Sequence, residues 1–254
     1  MKTIKFLVTA MASLVVCAAV QARSFEDIKK DGKIVIATEG TYPPFSYFQG
    51  SKLTGLDIEL GEAIAKKMGV GVEWKALSFD ALLSGLRQDR WDMVMDSIGI
   101  TEERAKAVSF SNPIYCSGGV IVSKDAAIHT VESLNGKTVA VLTGTTYMDS
   151  LRKLPAIKEV KNFPQDPDAR SALMNGRVDA WVSDRFAVKA ALEASPNSGL
   201  KKGDYLFVEK IAAAIKKGNH SLDAAINKAL AEIMLDGTYH AITEKYMHED
   251  IQCH

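Results

Sequence analysis

Apolar positions along this chain change period repeatedly, and the changes fall in an order that recurs. Residues 33–38 form a short β-branched apolar run, and residues 55–68 then place Leu56, Leu60, Ala63, Ile64 and Met68 at helical spacing. Residues 70–76 return to strand character, 79–86 are helical again, and 92–95 read as a brief buried strand, which completes a βαβαβ pattern. The series then restarts, with strands at 137–142, 160–163 and 179–182 and helices at 145–154, 168–174 and 184–193. Alternation of this kind predicts a largely parallel sheet with helices packed on it, and here it predicts two such α/β units. Residues 114–123, which join the units, read as extended strand with no charged or Pro/Gly/Ser-rich linker, so hinged lobes are expected instead of loosely tethered domains. Residues 221–234 and 237–247 are amphipathic helices with no strand after them. They need a sheet to cover, so the chain is expected to cross back near residues 209–214 and lay them on the first unit.

Ahead of this pattern, residues 1–22 have the form of a secretory signal, with Lys2 and Lys5 at the start, an apolar stretch over 6–20, and a cleavable Val20-Gln21-Ala22 end. Thr9, Ser13 and Cys17 interrupt that stretch, which falls short of the roughly 20 apolar residues of a membrane span. Removing it leaves 254 − 22 = 232 residues, enough for two modest cores. Basic and acidic residues balance at 31 each, so no strongly basic face draws nucleic acid or an anionic membrane, and no nucleic-acid partner is expected. Cys116 and Cys253 survive processing, and one disulfide or two separate thiols are equally open readings. Trp74, Trp91 and Trp181 are read as core, and His129, His220, His240, His248 and His254 as solvated. No nucleophile–base pairing, metal cluster or phosphate loop stands out, so neither catalysis nor a cofactor is expected.

Some residues carry chemistry when read singly. Arg104 follows Thr101-Glu102-Glu103, a helix start with a capping hydroxyl and first-turn acids. Its guanidinium fork suits a carboxylate gripped at two points; its plainer role is a surface ion pair with a neighbouring glutamate. The 99–101 stretch and the Thr143-Gly144-Thr145-Thr146 turn can present N–H groups to an anion. Asp184 ends an apolar strand, where α/β clefts form, and is also placed to cap the helix that follows. Tyr42 and Phe79, taken alone, are core aromatics.

The segments TEGTYPPFSY (38–47), GLDIELGEAIAKKMG (55–69), DSIGITEERAKAVSFSNPIY (96–115), LTGTTY (142–147), WVSD (181–184) and DGTYHAITEKY (236–246) occur in one order along the chain. In this the chain resembles the solute-binding proteins of polar amino acid ABC transporters. The resemblance implies an α/β, type II periplasmic binding protein fold: two α/β lobes, 23–114 with 210–254 and 115–209, joined by two hinge strands. It further implies a periplasmic monomer that closes on a free amino acid and delivers it to a membrane permease. Carried over by position, Arg104 grips the ligand carboxylate, Asp184 accepts the α-ammonium, and Tyr42 and Phe79 flank the side chain. Glu39, Asp96, Ser97, Gly99, Leu142, Thr145 and Thr146 complete the expected site. Asp96 stands where many relatives carry a small residue and Gly99 where they carry a hydroxyl, while Leu142 replaces the lysine of glutamine binders.

Three expected cleft acids, Glu39, Asp96 and Asp184, thus face Arg104 alone. A neutral amino acid strands two of them in a closed cleft, which costs several kcal/mol. A second cation on the ligand removes that cost, so the expected ligand is basic: arginine, lysine, ornithine or histidine. The alternatives are another polar or cationic amino acid derivative, or a prephenate or arogenate dehydratase on the same fold. The dehydratase needs an acid just after the cleft aspartate, where this chain has Arg185-Phe186-Ala187-Val188.

Overall fold

A computed structural model describes residues 22–253, so the reading of residues 1–22 as a signal peptide lies almost wholly outside the described residues. The chain opens with α1 (Phe25–Asp31) and β1 (Lys33–Thr38), followed by the short strands β2 (Thr41–Tyr42), β3 (Ser46–Gln49) and β4 (Lys52–Thr54). Next come α2 (Leu56–Met68), β5 (Gly71–Ala76), α3 (Phe79–Arg87), β6 (Met93–Val94), α4 (Glu102–Ala107) and β7 (Val108–Phe110). The second run comprises β8 (Tyr115–Ser123), β9 (Thr138–Leu142), α5 (Thr146–Arg152), β10 (Glu159–Phe163), α6 (Asp166–Met174), β11 (Ala180–Asp184), α7 (Arg185–Ala194) and β12 (Lys201–Ile211). Finally β13 (Ala214–Lys216), α8 (His220–Leu235) and α9 (Thr238–Met247) close the fold.

Two sheets organise these elements. The first has the order β5-β1-β6-β13-β7, with β5, β1 and β6 parallel and β13 antiparallel to both its neighbours. The second has the order β10-β9-β11-β8-β12, parallel through β10, β9 and β11 and antiparallel where β8 meets β11 and β12. Helices cover both faces of the second sheet, and its central strands show the consequence. Val120, Val122, Ala140 and Trp181 pack on one side, Ile121, Val139, Val141 and Val182 on the other, so these strands are apolar throughout. In the first lobe, Leu60 and Ile64 of α2 share one core with Ile34 and Ile36 of β1 and with Leu222, Ile226, Ile233 and Tyr239 of the terminal helices. Helix α2 can start where it does because Gly55 has φ of 128° and lies under the Phe45 carbonyl, which a Cβ would meet at 2.2 Å.

Two antiparallel segments connect the sheets and pair with each other. Tyr115 of β8 faces Ile211 of β12, Phe110 of β7 faces Ala214 of β13, and Ser111 N donates to Ala213 O at 3.0 Å between them. Tyr239 of α9 donates from its hydroxyl to Ile114 O at 2.8 Å, anchoring the crossing to the first lobe. The tail after α9 adds a covalent anchor: Cys253 is bonded to Cys116, Cys116 N donates to Ile251 O at 2.8 Å, and Ile251 is buried. Of the two cysteine readings left open by the sequence, the structure takes the disulfide.

The bond closes a loop of 137 residues and holds the tail on a crossing strand. Removing it with Cys253→Ser is expected to lower unfolding stability by about 2–5 kcal/mol. Thermal unfolding of the oxidised protein and the variant checks this; equal midpoints would mean the tail holds without the bond.

Candidate functional site

The cleft lies where strand ends of both sheets face each other, the position at which open α/β sheets bind ligands. From the first lobe, the segment after β1 supplies Tyr42, the start of α3 supplies Phe79, the turn after β6 supplies Ser97, and α4 supplies Arg104. From the second, Leu142 ends β9, Thr145 and Thr146 begin α5 together with Tyr147, and Glu209 comes from β12. The lobes are closed on one another, and the space left among these residues is about 10 Å³. That is at or below the room one water needs, so nothing larger enters unless the lobes part. Beside it, a groove of about 490 Å³ opens at the cleft mouth, sharing Thr146 and Glu209 with the inner cavity and bordered by Glu103, Asp149, Lys153 and Lys210.

Arg104 is placed by its helix start: Thr101 is the N-cap and its hydroxyl accepts from Arg104 N at 3.1 Å. The guanidinium donates to Gly99 O at 2.8 Å and to Gly144 O at 3.0 Å, one carbonyl from each lobe, while lying over the Phe79 ring at 5.8 Å. Burial lowers its pKa, opposed by the nearby charges of Glu209 and Asp149. The ion-pair reading of Arg104 does not hold, because Glu103 pairs with Lys106 at 2.7 Å on the exposed side of the helix. Tyr42 also bridges the lobes. Its hydroxyl lies 3.2 Å from Ser183 Oγ and accepts from Asp184 N at 3.2 Å, while its ring stacks on Phe45 at 5.4 Å. Phe79 packs with Leu82 and Leu142.

The acids divide by their partners. Asp96 Oδ1 accepts from Thr38 and Ser46 hydroxyls at 2.7 Å each, and Glu39 Oε1 accepts from Thr41 at 2.9 Å. Their other oxygens, Asp96 Oδ2 and Glu39 Oε2, are buried without a hydrogen-bond partner among the described residues. Asp184 has donors on both oxygens: Oδ1 accepts from Phe186 N at 2.8 Å as the cap of α7, and Oδ2 accepts from Ser117 Oγ at 2.5 Å and Tyr147 OH at 3.2 Å. Ser97 has φ of 49°, a strained position for a non-glycine, and its N–H donates to Asp57 Oδ2 at 2.6 Å. Not all the expected backbone donors are free, because Ile100 N donates to Lys210 O and Thr143 N to Phe163 O, each at 2.9 Å. Sequence reasoning missed Asp57, Tyr147, Asp166 and Glu209. Asp57 reads as a first-turn helix acid, and Glu209 lies in a segment that reads only as a crossing.

Residues 34–249 match the bacterial extracellular solute-binding proteins, family 3. The chain belongs to that family. The L-cystine-binding protein TcyJ of Escherichia coli (strain K12) is 35% identical over 92% of either chain. The lysine/arginine/ornithine-binding periplasmic protein of the same organism is 32% identical, covering 92% of this chain and 94% of that one. Among solved structures, an ancestral arginine-binding protein bound to arginine has a TM-score of 0.82 at 40% identity, over 85% of this chain and 98% of that one. The fold is therefore the type II periplasmic binding protein fold, two α/β lobes joined by two hinge strands, in a family of amino-acid-binding proteins of ABC transporters.

In this family member the closed cleft raises carboxyl pKa values. Burial, with Asp96 beside it, pushes Glu39 up to about 9, and burial pushes Asp57 to about 8. Burial also raises Asp96, Asp166, Asp184 and Glu209, each to about 6, against the pull of their hydrogen-bond donors. A carboxyl whose folded pKa exceeds its unfolded value of about 4 holds a proton that the unfolded chain has released, so its contribution to stability is lost as pH rises. That contribution is full below about pH 4 and disappears through the range from about 6 to 9. Without added ligand, the melting temperature is expected to be higher at pH 5.5 than at pH 8.5, by about 5 °C or more. A flat or rising profile would show these acids ionised and otherwise compensated.

Proposed function

We propose that this protein is the periplasmic substrate-binding component of an ABC importer and that it captures a basic amino acid, arginine, lysine, ornithine or histidine, by lobe closure. The observation that carries the ligand class is the pair of buried, unpartnered oxygens on Glu39 and Asp96, beside a cavity whose lining contains Arg104 as its cation. A buried acceptor without a donor is costly, and a ligand ammonium or guanidinium supplies both donors and charge. In the bound form the ligand carboxylate takes the Arg104 fork from the carbonyls of Gly99 and Gly144. Its stem lies between Tyr42 and Phe79, and its distal cation meets Glu39 and Asp96. Ser97, Gly99, Leu142, Thr145 and Thr146 complete the wall, and Asp184 contributes negative potential at the ammonium end. Contacts from both lobes favour the closed form, which the membrane permease then reads.

Support for the reading comes from the relatives, whose names include lysine, arginine and ornithine binding. Export fits a secretory segment over residues 1–22. Binding without catalysis fits the residues after Asp184, where Arg185 turns to Glu249 at 3.4 Å and Phe186 and Val188 are buried. A second reading, cystine, is favoured by the mouth groove. It continues from the inner cavity past Thr146 and Glu209, and Lys153, Lys210, Asp149 and Glu103 could meet a second amino-acid head there.

Titration calorimetry with the common amino acids and cystine tests both readings. A basic amino acid is expected to bind tightest, at about −8 kcal/mol or better. Preference for cystine would move the assignment to the second reading, and preference for glutamate would defeat the charge argument. Arg104→Ala is expected to weaken binding by about 2–5 kcal/mol, since it leaves the ligand carboxylate unpaired. Affinity for the basic ligand is expected to rise between pH 5 and pH 8, because a cation favours the ionised form of acids held near pH 6 and above.

A further inference from the structure

Glu209 is packed directly against the main chain of Gly99 across the two lobes. A Cβ placed on Gly99 would come 1.9 Å from Glu209 Oε2 and 2.8 Å from its Cδ, so the carboxylate occupies the volume that a side chain at position 99 would fill. The contact is held in register: Gly99 forms an antiparallel bridge with Ile211, and Ile100 N donates to Lys210 O. Oε2 accepts from Thr146 Oγ1 at 2.9 Å, and the side chain faces the inner cavity beside Arg104. Tyr147 also lies against Glu209, but its hydroxyl has one proton to give, and Asp184 Oδ2 accepts it at 3.2 Å. Both oxygens of Asp184 are already met, by Ser117, Tyr147 and Phe186 N. Glu209 is the carboxylate in the lining of the inner cavity, and with Thr146 as its hydrogen-bond donor it has acceptor sites open to new donors. The charged groups acting on it are Asp184 and Arg104, whereas those acting on Glu39 are Asp96 and Asp166.

We infer that Glu209 is a specificity-determining residue that receives the ligand's α-ammonium directly, alongside Asp184, from the space that a side chain at position 99 would fill. The inference rests on the basic amino acid reading above and refines which carboxylate touches which end of the ligand. An α-ammonium in the space beside Gly99 lies within reach of Glu209 while its carboxylate lies on Arg104, so the two charged groups that sit side by side in the protein meet the two that sit side by side in the ligand.

The test uses the full mature protein, L-arginine, and 5-guanidinopentanoic acid, which keeps the guanidinium and carboxylate but lacks the α-ammonium. Glu209→Gln is expected to weaken arginine by about 30-fold and to change the desamino compound by less than about 2-fold. Gly99→Ala, whose methyl displaces the flexible end of Glu209, is expected to weaken arginine similarly, and the double variant is expected to be no worse than either single one. Arginine binding indifferent to Glu209→Gln, or equal loss for both compounds, would overturn the inference while leaving the basic amino acid reading in place. Failure of the unsubstituted protein to bind any basic amino acid would remove that reading and this inference with it.

Discussion

Buried negative charge is the constraint on which the closed cleft depends. Glu39, Asp57, Asp96, Asp166, Asp184 and Glu209 are all withdrawn from water near where the lobes meet, and Arg104 is the cation that lines the cavity between them. The protein meets part of this cost with hydroxyl donors: Thr38, Thr41, Ser46, Ser117, Thr146, Tyr115 and Tyr147 each give a proton to one of these acids. It meets another part by protonation, which is what the raised pKa values express. Glu39 Oε2 and Asp96 Oδ2 have no hydrogen-bond partner among the described residues, and on the proposed reading the ligand's cation meets them.

The hinge explains how the cost can be relieved and restored. Both crossing segments pair with each other at Phe110–Ala214 and Tyr115–Ile211, and Ser111 N and Ile114 N bond Ala213 O and Ile211 O between them, so the lobes are joined by two mutually bonded segments and not by independent linkers. The tail is part of that ladder's surroundings, through Cys253 on Cys116 and through Lys189 of α7, which donates to Met247 O at 3.1 Å. Asp57 couples the hinge to the cleft directly: one oxygen accepts from Tyr115 at the crossing, the other from the strained Ser97 at the cavity wall.

Elements with one strong period are legible in the amino-acid sequence. The runs that form β1, α2, β9, β11 and the terminal helices announce themselves because each buries an unbroken apolar stripe or strand. β12 does not, because it lies at a sheet edge, exposes Tyr205 and Val208 along with Lys201, Lys202, Asp204 and Lys210, and buries Glu209, which leaves no apolar period to read. The small sheet β2-β3-β4 is hidden for another reason, since its strands are too short to show alternation. Arg104 and Asp184 are legible as helix-start residues at strand ends. Glu209 is not, because its position in the cleft depends on Gly99 having no side chain, and a contact between residues on opposite lobes leaves no trace in local spacing.

Closure and selectivity then follow from one comparison. In the closed arrangement the Arg104 fork bonds a carbonyl from each lobe and the Tyr42 hydroxyl reaches Ser183 and Asp184 N, so the lobes hold each other through neutral groups. A ligand carboxylate offers Arg104 a charged acceptor in place of neutral ones, and charge-assisted hydrogen bonds are roughly twice as strong. The gain at that end is available to any amino acid and so cannot discriminate among them. On the proposed reading discrimination comes from the acids, where a neutral side chain leaves Glu39 and Asp96 as they stand and a cationic one replaces their protons with its own charge. Affinity then comes from Arg104 and identity from Glu39 and Asp96, all on the first lobe, so a ligand held there favours closure through the contacts that Leu142, Thr145, Thr146 and Glu209 add from the second.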